Sequence, residues 1–188
     1  MSALFKSALA QAELLNRRQI SAVELMQDTL ARIKTINPQV NAIISLREEA
    51  DLLVQAAQAD KSSRTGWMHG LPIAIKDLHD VKDMPSSMGS AIFADYIAEK
   101  DDIAVARVRA AGAIIIGKTN TPEFGLGSHT YNPVHGTTYN PYDLSKSAGG
   151  SSGGAAAALS TRMLPLADGS DMMGSLRNPA AWNNVYGF

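Results

Sequence analysis

The chain has 188 residues, 45% apolar and 19% charged, and its 17 Lys plus Arg against 18 Asp plus Glu leave a formal charge of −1. This is a globular composition with no basic stripe and no aromatic-studded basic patch, which argues against nucleic acid as the primary ligand. The absence of cysteine excludes disulfide frameworks, thiolate metal sites and a cysteine nucleophile, so serine must carry any covalent chemistry. The first residues, MSALFKSALAQAELLNRR, are broken by Lys6, Gln11 and Glu13, unlike a signal peptide, and no run approaches the roughly 18 apolar residues that span a bilayer. A cytosolic protein without a membrane partner is expected.

A first helix is expected over Ala3–Arg17. Ser21-Ala22-Val23-Glu24 reads as a capping box, followed by Val23, Met26, Leu30 and Ile33 at helical spacing, with Asn37-Pro38 as the stop. A third helix over Arg47–Lys61 completes a helical scaffold over residues 1–65. From Gly66 the texture changes to short apolar runs bounded by Gly, Pro, Asn and Asp: Leu71–Ile75, Ala113–Ile116 and Leu164–Ala167, read as buried strands. Between the first two, Ile103–Ala111 has a helical pattern, with Gly112 placed for a left-handed C-cap. The alternation predicts an α/β core over 66–188, one domain overall with the scaffold. The long segment between Thr119 and Gly154, dense in Gly, Pro, Asn, Ser and Thr, is of the kind that carries function.

Gly149 to Gly154, GGSSGG, fits G-x-S-x-G twice, with Ser151 or Ser152 central. A nucleophile elbow needs its histidine after the serine, yet His69, His79, His129 and His135 all precede it. A phosphate cradle would need a following Lys-Ser or Lys-Thr pair, which is missing. Alone, the turn is explained by close backbone packing at a helix start. A second constellation, Asp168 to Ala180 (DGSDMMGSLRNPA), places serines just past a strand end beside a run of main-chain amides, where an attacking hydroxyl and an oxyanion hole can share one turn. Lys76, at the end of an apolar strand, is the candidate base, because desolvation lowers a lysine's pKa. His129 and His135, with no third ligand at metal spacing, read as loop histidines, and no metal or cofactor is implied.

With these residues the chain resembles the amidase signature family, which is marked by a G-G-S-S-G-G turn, a G-x-D-x-G-G-S-x-R-x-P-[AS] stretch and a lysine after an apolar strand. Gly149–Gly154 matches the first completely, Gly169–Ala180 matches the second with one departure, and GLPIAIKD and AGAIIIGKTNTPEFG are similar to the family as well. The resemblance implies a mixed sheet flanked by helices and an amide-bond hydrolase without cofactor or metal. In it Ser175 is the nucleophile, Ser151 the bridging serine after a cis peptide, and Lys76 the neutral base. It also implies an oxyanion hole from the amides of Met172, Met173, Gly174 and Ser175, with Ser152, Asp171 and Arg177 holding the two serine turns together. Arg177 reads equally as a surface ion pair. The departure is Met172-Met173, where the family has a small or β-branched residue followed by glycine; it is expected to alter the hole and the substrate size.

The expected partner is a small-molecule amide. The competing readings are a glutaminase subunit of a tRNA-dependent amidotransferase and an inactive truncated fragment, since the resemblance covers the first part of a family domain. An incomplete sheet is expected to leave an uncovered face or edge that favours association between copies, as in a homo-oligomer, and a chain that is inactive by itself.

Overall fold

A computed structural model describes residues 2–188. The main sheet has four strands in the order β1 (Ile43–Leu46), β3 (Ile114–Thr119), β2 (Pro72–Lys76) and β8 (Leu166–Ala167). β2 runs parallel to β3 and to β8, whereas β1 is antiparallel to β3, so the sheet is mixed. The helices are α1 (Ala8–Asn16), α2 (Ala22–Val40), α3 (Glu49–Lys61), α4 (Ile103–Ala110), α5 (Gly153–Ser160) and α6 (Arg177–Trp182).

Every residue of β2 and β3 is buried, because both faces of the sheet are covered. Ala74, Ile114 and Ile116 pack with Met26, Leu30 and Ile33 of α2, Leu52 of α3 and Ala157 of α5. Ile73, Ile75 and Ile115 point the other way, onto Val105 of α4, the crossover helix that makes the parallel pairing feasible. The small residues of α5 let it approach the sheet closely. A Cβ on Gly154 would meet the backbone nitrogen of Asn120 and sit 2.7 Å from the Ala42 carbonyl oxygen.

At α2 the capping box is present: the Glu24 amide donates to Ser21 Oγ and the Ser21 amide to the Glu24 carboxylate. Asp60, near the end of α3, accepts from the amides of Ala22 and Val23 and ties the two helices together. The predicted stop at Asn37-Pro38 is corrected: the helix continues through Pro38 to Val40 and ends at Asn41, in the left-handed region at φ 50°. Pro38 removes a single donor in the last turn, and the Asn37 side chain closes the helix exit by accepting from the amides of Ala42 and Ile43 and donating to the Ile43 carbonyl. The single helix expected over Ala3–Arg17 is a 3-10 turn at Ala3–Phe5 followed by α1, separated at Lys6 and Ser7, whose backbones are extended. The third helix begins at Glu49, since the residues before it lead out of β1, a strand not anticipated.

The segment 119–154 holds two short ribbons, β4 (Tyr131–Asn132) with β5 (Gly136–Thr137) and β6 (Tyr139–Asn140) with β7 (Asp143–Ser147). Gly112 has φ +92° directly after the end of α4, as its C-cap reading requires. The outer strand β8 has one neighbour and borders an apolar groove of about 590 Å³ lined by Trp67, Leu159, Leu166, Leu176, Tyr186 and Phe188 among others. Among the described residues no helix is long and apolar enough to cross a membrane.

Candidate active site

The parallel strands β2 and β8 and the turn before α5 converge at one end of the sheet, the carboxyl end of the parallel strands, where α/β proteins gather their ligands. Lys76 is the last residue of β2, and its side chain is fully buried. Its Nζ lies 2.6 Å from Ser151 Oγ, 2.9 Å from Ser152 Oγ and 3.0 Å from Ser170 Oγ. Three hydroxyls satisfy three ammonium donors, but they return no charge, and no carboxylate among the described residues forms an ion pair with Nζ. Desolvation therefore dominates and lowers the lysine from 10.5 to about 8, against the opposing pull of Asp168 and Asp171. The neutral amine at pH 7 thereby rises from about 0.03% to about 9% of the population.

Ser151 and Ser152 sit in the turn that opens α5, and the Gly150–Ser151 peptide bond is cis. Both are buried. The Ser152 amide donates to the Ser175 carbonyl at 2.9 Å, stapling the two serine turns together. A second staple is internal to the 171–177 turn. The Asp171 carboxylate accepts from the amides of Gly174, Leu176 and Arg177 and takes a two-pronged contact from the Arg177 guanidinium at 2.9 Å on each arm. These donors, Arg177 foremost, hold the Asp171 carboxyl far below the usual range.

Gly174, at φ +105°, thus turns its amide toward Asp171, and this changes the expected set of four oxyanion donors. The amides of Met172, Met173 and Ser175 have no acceptor among the described residues. A cavity of about 330 Å³ is lined by Ser151, Ser170 and Ser175 with Met172, Met173 and Asn178 among its walls. Ser175 and Ser151 share this cavity, but no hydrogen bond joins their hydroxyls; the third contact of Lys76 goes to Ser170 instead.

The model of the family described as Amidase matches residues 24–188. The chain belongs to the amidase family. It is 46% identical over 176 residues to one of the subunits of the glutamyl-tRNA(Gln) amidotransferase of Coxiella burnetii, a match that covers 92% of this chain and 36% of that protein. It is 42% identical over 182 residues to the indoleacetamide hydrolase of Bradyrhizobium diazoefficiens, covering 95% of this chain and 35% of that one. Among solved structures, a bacterial aryl acylamidase of the amidase signature family superposes with a TM-score of 0.90 at 33% identity, over 98% of this chain and 39% of its own. The chain spans about a third of the length of these relatives.

In this amidase chain Met172 and Met173 are 84% and 86% exposed and stand at the rim of the cavity, so their bulk lies outside the buried lysine cluster. Arg177 keeps its side chain 69% exposed and acts on the turn through Asp171. His135 is half-buried with Nε2 2.9 Å from Ser87 Oγ, where burial lowers its pKa, and His129 lies beside the Trp182 ring. Sequence reasoning missed four residues around Lys76. Ser170 had only its place in the motif to signal it. Asp168 accepts from the Lys76 amide at 2.5 Å. Asp77, next to Lys76 in sequence, forms a buried ion pair with Lys118 at 3.0 Å. Two lysines that each stand at or near the end of a fully buried strand were the available signal for this pair.

Proposed function

We propose that the protein is an amide-bond hydrolase that works through an acyl-enzyme on Ser175, with Ser151 and Lys76 relaying the proton. The observation that carries this reading is the buried Lys76 Nζ held 2.6 Å from Ser151 Oγ, in a site that makes a neutral amine accessible near pH 8. Ser175 Oγ attacks the amide carbonyl carbon while its proton passes to Ser151 Oγ, whose own proton passes to the lone pair of Lys76. The carbonyl oxygen takes up the negative charge facing the amides of Met172, Met173 and Ser175, which have no competing acceptor, while Gly174 stays with Asp171 and keeps the turn rigid. Collapse of the tetrahedral intermediate breaks the C–N bond, and the leaving amine takes back the proton from Lys76 through Ser151. Water repeats the sequence on the ester, releasing the acid and restoring Ser175. The Ser151–Ser175 hydrogen bond forms with substrate in place, as catalytic contacts commonly tighten on binding. The reading of one domain overall goes with this proposal, with the boundary at 65/66 giving way to a shared core, since residues 1–65 supply β1 to the sheet and α2 and α3 to its cover; a cytosolic site of action goes with it too.

A second reading has a specific basis: the amidotransferase component from Coxiella burnetii, at 46% identity, suggests glutamine as the amide, with the ammonia passed on to another protein of the same complex. The two readings separate on release of ammonia or amine from simple aryl and alkyl amides by the purified protein with nothing else added, measured beside glutamine. Turnover of the simple amides is expected under the hydrolase reading, whereas no turnover of any amide would match the competing expectation that this stretch of chain is inactive by itself. Activity confined to glutamine, and dependent on a co-purifying protein, would favour the amidotransferase reading.

A further inference from the structure

Three carboxylates surround the end of β2, and two of them already have a cation. Asp77 is paired with Lys118 at 3.0 Å, both side chains being buried. Asp171 is gripped by Arg177. Asp168, immediately after β8, has neither: one oxygen accepts from the Lys76 amide at 2.5 Å, and the other is 3.9 Å from His79 Nε2. The His79 ring is itself turned to a second carboxylate, with Nδ1 3.3 Å from Asp102 Oδ2. On the cation side, Lys118 and Arg177 are taken, and Lys76 has only hydroxyls on its Nζ. Asp168 is therefore the one carboxylate of the three with no lysine or arginine on it, its neighbours being the main chain of Lys76 and the partly exposed His79 ring.

We propose that Asp168 is the counter-charge of Lys76, a positioning residue that anchors the main chain of the base and stabilises the ammonium formed when the base takes up the nucleophile's proton. This rests on the reading of Lys76 as the base. A buried amine with no anion near it would be a poor proton acceptor, because the charge it gains would have no partner in a site closed to water. A carboxylate touching Nζ would err the other way and hold the lysine permanently charged. Asp168 reaches the main-chain nitrogen while the hydroxyls occupy Nζ, so its charge supports the ammonium without a direct ion pair. The Asp168 and Asp171 charges both favour the Lys76 ammonium, and burial in turn raises the Asp168 pKa, against the Lys76 amide, His79 and Lys76.

The test is Asp168→Asn in protein labelled with 13C and 15N on lysine, with the Lys76 signal assigned by its loss in Lys76→Arg. The asparagine retains an oxygen for the Lys76 amide and loses the charge. The Lys76 midpoint, about 8 in the parent, is expected to fall by about one pH unit, a tenfold loss of proton affinity. The rising limb of the pH–rate profile should move down with it, and the plateau at high pH should drop. An unchanged midpoint in folded Asp168→Asn overturns the proposal; should that variant not fold, Asp168→Ser, which also retains an acceptor, is read in the same way. The NMR midpoint needs no substrate, so the two readings fail separately. A shifted midpoint in a protein that hydrolyses no amide would sink the acyl-enzyme mechanism and keep the pairing, whereas an unshifted midpoint in an active enzyme would do the reverse.

Discussion

Lys76→Arg is expected to lower amide hydrolysis by about 10⁴-fold or more, nearly as far as Lys76→Ala, because members of a catalytic relay act as a unit and losing one loses most of its effect. Arginine keeps the positive charge and can reach the serines, so a lysine that merely donated hydrogen bonds would be replaced at modest cost. A base would not, since a guanidinium does not give up its proton near neutral pH. Under the proposed relay the parent rate should rise with pH as Lys76 loses its proton and level off above about 8, because the relay needs the neutral amine and burial lowers its pKa to about that value. Steady-state kinetics of the parent and the two variants between about pH 6 and 10 check both points. Near-parental turnover by Lys76→Arg would make the lysine structural.

Lys118→Met should destabilise the fold by about 3–5 kcal/mol, the usual cost of leaving one partner of a buried ion pair behind. Lys118 and Asp77 have side chains 0% and 2% exposed, so the abandoned Asp77 carboxylate could not reach water. It would retain the Ser87 hydroxyl at 2.6 Å and little else. The Lys118 ammonium also donates to the His79 carbonyl and the Ser86 hydroxyl, fastening the segment after β2 to the end of β3. Removing both charges together, as Lys118→Met with Asp77→Leu, should recover part of the loss, because an apolar pair in such a place is often no worse than the ions. Urea denaturation reads both variants. A single-variant cost below about 1 kcal/mol would mean that the pair is hydrated or dispensable.

What the sequence disclosed follows the range of the forces involved. The capping box at Ser21 and Glu24 and the Gly112 cap are set by neighbouring residues and were legible. Pro38 misled, because so close to the helix end it costs a single donor, and the helix stops three residues later at the left-handed Asn41, where the Asn37 side chain caps the amides of Ala42 and Ile43. The strands running up to Lys76 and Lys118 were legible as apolar runs, whereas the run Leu164–Ala167 holds only the two-residue, half-buried strand β8. β1 is four residues long and half-buried, too brief for its pattern to show. Within the site, Lys76, Ser151 and Ser175 were named from motifs, and the fold brings Lys76 to Ser151 and places both serines on one cavity. The role of Asp171 as an acceptor for Gly174, and the pairing of Asp77 with Lys118, depend on side chains meeting across turns and strands, which no local pattern encodes.

The most direct test of the acyl-enzyme account is peptide-level mass spectrometry of the protein after reaction with a fluorophosphonate, which forms an O–P bond to an activated serine and releases fluoride. The account predicts one covalent adduct, on Ser175, forming faster as pH rises toward about 8 and abolished in Lys76→Arg. An adduct on Ser151, Ser152 or Ser170, or labelling of Ser175 that is indifferent to Lys76, would contradict it.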